Sequence, residues 1–173
     1  MRTLPDLIKQ AQKGDQEAFV SLMEQNKLAL YKAAKAILEN DEDVADALQD
    51  TLLAAYRSIR RLRKPQYFKT WLTRILINKC YDIRKRNSRY VSAEALPEQA
   101  APDSRIEALS EDFLQEVSEN YRLVLNLHYG MGLSVKEISR LLGLNENTVK
   151  TRLFRGREAA KQAYMKEMEE CAL

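Results

Sequence analysis

The sequence predicts an all-α protein of two small helical domains joined by a flexible linker, the C-terminal one holding a helix-turn-helix. Three observations predict it. Only 5 Gly and 4 Pro interrupt 173 residues. Apolar residues recur at spacings of three and four rather than two. One central stretch loses that periodicity altogether.

Taken in order, Asp15 is placed to cap a helix whose Phe19, Leu22, Met23, Leu30, Ala33, Ala34 and Ile37 form one stripe. Asn40 and the acidic run Asp41, Glu42, Asp43 mark a break and a new cap. From there Val44, Ala47, Leu48, Thr51, Leu52, Ala55, Tyr56 and Ile59 read as a second core-facing stripe. A third amphipathic helix is expected over 66–86, with Phe68, Trp71, Leu72, Ile75 and Ile83 on its apolar side.

Residues 92–103, SAEALPEQAAPD, contain two prolines and no Lys, Arg or aromatic residue. Proline disfavours helix, and so little apolar surface cannot offset the entropy of ordering. The expected division is therefore a first domain over 1–90, a linker over 91–104 and a second domain over 105–173. The linker can span about 45 Å when extended. The second domain is expected to hold helical segments at 106–118, 121–129, 135–142 and from 146 to about 166.

Composition excludes several classes. With 45% hydrophobic and 31% charged residues the chain is neither collagen-like nor disordered. Cys80 and Cys171 are the two cysteines, too few for a disulfide framework or a Cys-rich zinc site. The first ten residues include Arg2, Asp6 and Lys9, unlike a signal peptide, and no stretch is long and apolar enough for a membrane span. A cytoplasmic location is expected, without membrane insertion.

The formal charge of +3 hides a strong asymmetry. Residues 1–55 hold 6 Lys/Arg against 10 Asp/Glu, residues 56–90 hold 12 against 1, and residues 91–173 hold 10 against 14. Within the basic block Tyr67, Trp71, Arg74, Asn78, Tyr81 and Lys85 fall on one helical stripe. Aromatic faces between cations and amides can stack unpaired bases while the charges hold the backbone. Trp71 and Tyr81 are equally well explained as half-buried core residues.

Opposite the apolar side of the second helix lie Asp46, Gln49, Asp50, Leu53 and Arg57. A solvated acidic face is the simple explanation, and docking to a basic partner is the alternative. In the second domain, Ser134 with Glu137 forms a capping box, and Val135, Ile138, Leu141 and Leu142 face inward. Gly143 suits a left-handed terminus, and Asn145 can cap the next helix. That helix turns Val149, Leu153 and Ala160 inward and Asn147, Thr148, Thr151, Arg152 and Arg155 outward. Short polar residues and cations there suit base edges and phosphates in a major groove.

Enzyme signals are missing. His128 sits in an apolar run, residues 130–132 lack the third glycine of a dinucleotide fingerprint at Val135, and no phosphate-binding loop is present. No catalytic residue, metal ligand, cofactor or small-molecule substrate is predicted.

These motifs, in this order, resemble a bacterial sigma factor of the extracytoplasmic-function type, within the sigma-70 family. Residues 46–56, DALQDTLLAAY, look like the family's core-polymerase-binding helix. Residues 68–86, FKTWLTRILINKCYDIRKR, look like its promoter-melting and minus-ten helix. Residues 133–155, LSVKEISRLLGLNENTVKTRLFR, look like its minus-thirty-five helix-turn-helix. The resemblance implies that Asp46, Gln49, Asp50 and Leu53 contact core RNA polymerase. It implies that Arg63, Lys64, Tyr67, Trp71, Arg74, Asn78 and Lys79 capture the opened minus-ten strand. It implies that Asn147, Thr148, Thr151, Arg152 and Arg155, with Lys150 near phosphates, read the minus-thirty-five duplex, and that an anti-sigma factor controls the protein. The chain departs from the family at Ala45, where Glu is common, and at Asn145 and Asn147, where Pro and Gly are common.

Two other classes fit parts of the sequence. A stand-alone regulator would use the helix-turn-helix as its sole DNA contact and bind symmetric duplex without polymerase. A helical adaptor would not need the recognition helix.

Overall fold

The computed structural model describes residues 3–92 and 117–171. Every regular element among them is helical: α1 (Leu4–Gln12), α2 (Gln16–Lys35), α3 (Asp41–Ser58), α4 (Phe68–Ser92), α5 (Glu119–Leu125), α6 (Val135–Leu142) and α7 (Glu146–Cys171). The chain divides into two compact units, Met1–Arg86 and Asn87–Leu173. Helix α4 continues to Ser92, so Val91 and Ser92, expected to begin a linker, are helical. The rest of segment 91–104, and residues 106–116 of the helix expected over 106–118, lie outside the described residues; Val117 and Ser118, expected to end that helix, are a bend and the N-cap of α5.

In the first unit, α1 is an element that the apolar stripes of the sequence do not announce. Its signal is local: Thr3 and Asp6 form a capping box, Pro5 occupies the first turn, and Leu7, Ile8 and Ala11 are buried. Asp15 caps α2 by accepting from the Ala18 amide at 3.1 Å, and Asn40 caps α3 by accepting from the Asp43 amide at 3.0 Å. The core holds Ile8, Leu22, Val44, Phe68, Leu72 and Leu76, each at most 1% exposed, with Ile59 beside them at 2%. Ile37 lies past the end of α2 yet is buried.

Three polar side chains enter this core: Asn26, Thr51 and Thr73. Each donates to the carbonyl four residues back, on Leu22, Ala47 and Lys69, at 2.7, 2.6 and 2.7 Å. Their burial therefore leaves no donor stranded.

Two residues of the expected core stripe on α3 stand outside it. Leu52 is 44% and Tyr56 is 47% exposed. The buried positions of α3 are Val44, Ala47, Thr51 and Ala55. At about 100° per residue, Leu52 and Tyr56 lie on the flank of that face. Tyr56 meets Phe19 edge-on, with ring centroids 5.1 Å apart.

In the second unit, Leu127, Met131, Ile138, Val124 and Val117 form the core, with Val149 and Leu153 of α7 against it. The helix expected over 121–129 begins at Glu119 and ends at Leu125, followed by a π turn over Asn126–Gly130 in which the Met131 amide reaches the Asn126 carbonyl. Ala160, expected inward on α7, is half-buried; Gly156 and Ala163 hold the buried positions beyond Leu153.

Candidate nucleic-acid and partner interfaces

The helix-turn-helix forms from local chemistry that the sequence displays. Ser134 and Glu137 make both bonds of the capping box, with the Ser134 amide donating to Glu137 Oε2 at 2.9 Å. Gly143 ends α6 at φ +66°, a left-handed conformation that costs a residue with a Cβ about 1–2 kcal/mol. Asn145 Oδ1 accepts from the Asn147 amide at 2.8 Å, capping α7.

The exposed first turns of α7 form one wall of an open groove of about 470 Å³ lined by Asn147, Thr148, Thr151, Arg152 and Arg155. Ser118, Asn120 and Tyr121, at the start of α5, form the other wall. Five of the six residues expected to read the minus-thirty-five element are thus gathered on one surface. Lys150 is exposed but does not line the groove. The α5 wall was not legible in the sequence, because nothing local says which helix α7 will cross.

That crossing is tight. A Cβ placed at Gly156 would lie 3.1 Å from Leu125 Cδ1 and 3.2 Å from Tyr121 Cβ. Beyond it, Arg157 turns away from the groove and donates to the Tyr129 hydroxyl at 3.1 Å. His128 is structural: its Nδ1 lies 2.8 Å from the Leu133 carbonyl, the geometry of an imidazole N–H donating to it, and its ring meets Tyr129 edge-on. Arg122 is half-buried on α5, where loss of solvent lowers its pKa against the opposing pull of Glu119.

The stripe on α4 begins in the loop before it. Residues 59–67 run as a 3₁₀ turn (Ile59–Arg61), an extended stretch and a second 3₁₀ turn (Pro65–Tyr67). Arg63, Lys64 and Tyr67 on this loop, and Arg74, Asn78, Tyr81 and Lys85 on α4, are exposed. Trp71 and Lys79 are half-buried. The Trp71 ring sits 5.8 Å from that of Phe68, which is fully buried, so the indole is held from below with part of its surface in solvent. Trp71 is thus half-buried, as the core explanation expected, and the part of its indole left in solvent is the part that a base could reach. Ile75, expected in the core, is half-buried, and Leu76, Ile77 and Cys80 fill that side of α4.

The α3 face carries Asp46, Gln49, Asp50 and Leu53; Gln49, Asp50 and Leu53 are exposed, as is Asp46. Leu52 and Tyr56 extend it and make it more apolar than the sequence suggested. Beside Gln49 and Leu52 an apolar cleft of about 320 Å³ opens between α2 and α3, lined also by Met23, Leu30 and Leu48. Two adjacent leucines at 52 and 53 were the available signal, since both cannot face one core stripe.

Among the described residues no group of His, Cys, Asp and Glu could hold a metal ion. No helix among them is long and apolar enough to cross a membrane.

Residues 22–90 match the family model for sigma-70 region 2, and residues 111–159 match that for sigma-70 region 4. The ECF RNA polymerase sigma factor SigW of Bacillus subtilis is 32% identical over 174 residues, covering 90% of this chain and 93% of that protein. The ECF RNA polymerase sigma factor SigE of Mycolicibacterium smegmatis is 31% identical, covering 92% of this chain and 67% of its own length. Among solved structures, CnrH in complex with the cytosolic domain of CnrY superposes with a TM-score of 0.61 at 26% identity, covering 94% of this chain and 97% of that one. The sigma factor RpoE of Bartonella quintana, solved with the anti-sigma factor NepR, shares the fold with a TM-score of 0.66 at 22% identity, covering 85% of this chain and 96% of its own.

Proposed function

The chain belongs to the extracytoplasmic-function sigma factors of the sigma-70 family, and from that premise we propose how its residues divide the work of starting transcription. A factor of this kind binds core RNA polymerase and directs it to promoters, under the control of an anti-sigma factor. The observation that carries the residue-level reading is the groove of the second unit, where Asn147, Thr148, Thr151, Arg152 and Arg155 share one open surface. Amides, hydroxyls and guanidinium groups on a recognition helix supply the donors and acceptors that major-groove base edges require.

In this reading the second domain, 105–173, positions the protein on intact minus-thirty-five duplex, with Lys150 on phosphate. The first domain, 1–90, docks on polymerase through Asp46, Gln49, Asp50 and Leu53, with Leu52 and Tyr56 adding apolar area. Arg63, Lys64, Tyr67, Trp71, Arg74, Asn78 and Lys79 hold the opened minus-ten strand. Trapping that strand favours the open state because the site binds unpaired bases better than stacked ones. The segment that follows α4 and ends at 104 acts as a tether, so that duplex binding by one domain raises the effective concentration of the other.

The protein supplies no catalytic group of its own; bond formation stays with the polymerase. It acts in the cytoplasm, where polymerase and DNA are. Run-off transcription from genomic fragments, with purified core polymerase and with or without the protein, tests the reading. Specific transcripts that need both components are expected. Footprints on symmetric duplex without polymerase would favour a stand-alone regulator instead.

A further inference from the structure

Helix α1 lies outside the residues matched to sigma-70 region 2, which begin at 22. Its last residue, Gln12, is half-buried and reaches to the loop that precedes α4. Gln12 Nε2 donates to the Ile59 carbonyl at 3.1 Å and to the Leu62 carbonyl at 2.7 Å, both in part-buried surroundings. A carboxamide nitrogen carries two N–H groups, so it can satisfy both acceptors at once. Those carbonyls bracket the point where the first 3₁₀ turn gives way to extended chain, at Leu62 with ψ 104°.

The loop needs such a tie. Arg60, Arg61, Arg63 and Lys64 crowd four like charges into five positions, and their repulsion favours an opened loop. Its own backbone bonds include Leu62 to Ile59 and Tyr67 to Lys64, both at 3.1 Å. Helix α1 is itself firmly seated, with Leu7, Ile8 and Ala11 buried. The turn after it also comes close to the loop: Gly14 has φ +99°, and a Cβ there would lie 3.2 Å from Arg60 Nη2. The guanidinium of the loop's first cation thus lies over the bare glycine.

We propose that Gln12 is a positioning residue for strand capture: α1 splints the 59–67 loop through the Ile59 and Leu62 carbonyls, so that its cations and Tyr67 are ordered before DNA arrives. This rests on the reading of that loop as part of the minus-ten site. Gln12 touches no base. It lowers the ordering cost that strand binding would otherwise carry.

The test uses polymerase reconstituted with Gln12→Glu, which keeps the length but replaces both N–H donors with acceptors. The probe is the non-template minus-ten strand of a promoter found by run-off transcription. Its affinity should fall about tenfold, the scale of losing two neutral hydrogen bonds. Affinity for core polymerase and for minus-thirty-five duplex should stay unchanged, and hydrogen exchange at the amides of 60–67 should accelerate. Where Gln12→Glu fails to fold, Gln12→Met, uncharged and of equal reach, carries the same expectation. Unchanged strand affinity in a folded variant overturns the proposal, as does an equal loss on all three ligands, which marks a general folding role. A wild-type polymerase complex that binds this strand no better than a scrambled one removes the reading of the loop, and the proposal with it.

Discussion

The backbone of Gly156 on α7 runs so close to Tyr121 on α5 that a Cβ at Gly156 would stand 3.2 Å from the Tyr121 Cβ. This contact sets the distance between the recognition helix and the opposite wall of its groove. Two effects of Gly156→Ala oppose each other. Alanine improves helix propensity by about 1 kcal/mol, while overpacking a close crossing costs about 1–3 kcal/mol. The Leu125 side chain can swing aside; the Tyr121 Cβ is fixed to its backbone and cannot. Net destabilisation of the second unit is therefore expected in thermal unfolding, with weaker minus-thirty-five binding as the groove widens. A melting temperature above wild type would show that the crossing has slack.

Arg155 and Arg157 make an internal comparison, two residues apart on one helix. Arg155 lines the groove, and Arg157 is bonded to Tyr129 outside it. Arg155→Ala is expected to cost about 1–3 kcal/mol of duplex affinity and to relax preference at one base pair. Arg157→Ala should leave preference unchanged. Equal loss on every sequence would mean that Arg155 holds phosphate only.

The α3 face gives a prediction about polymerase. Asp50 is exposed on the same face as Leu53, so Asp50→Lys should abolish core binding while circular dichroism shows the helix content intact. Leu52 is already 44% exposed, so Leu52→Ala should cost little stability yet weaken the complex. Wild-type recovery of core subunits by Asp50→Lys in a pull-down would remove α3 from the docking surface.

Cys80 has no solvent exposure, and burial pushes its thiol from 9.0 up to about 12. In a Cys171→Ser background, which leaves Cys80 as the sole thiol, the folded protein should resist thiol reagents at pH 8 and react once unfolded. The folded state keeps the proton that the unfolded state loses, so this stabilisation is complete below pH 9 and is lost as pH rises toward 12. Against Cys80→Ala, wild-type stability should decline by about 1.4 kcal/mol per pH unit across that window. Parallel urea midpoints for the two proteins would contradict it.

The sequence by itself determined the helices and most of their ends, because these depend on neighbours within four residues. Asp15, Asn40, Ser134, Gly143 and Asn145 do in the structure what their types and positions dictate. The sequence also put the chemistry in order along the chain: an acidic face, a basic aromatic stripe, a recognition helix. Helix α1 is the exception, short enough that its Thr3–Asp6 box is a clearer sign than its apolar stripe. Only the tertiary structure decided which side of each stripe a neighbouring helix covers. It exposed Leu52 and Tyr56, turned Trp71 halfway into solvent, set Asn120 and Tyr121 across from Arg152, and brought Gln12 to carbonyls some fifty positions away. The physical reason is range: caps and periodicity act through one or two helical turns, whereas burial depends on which surfaces the packed helices bring together.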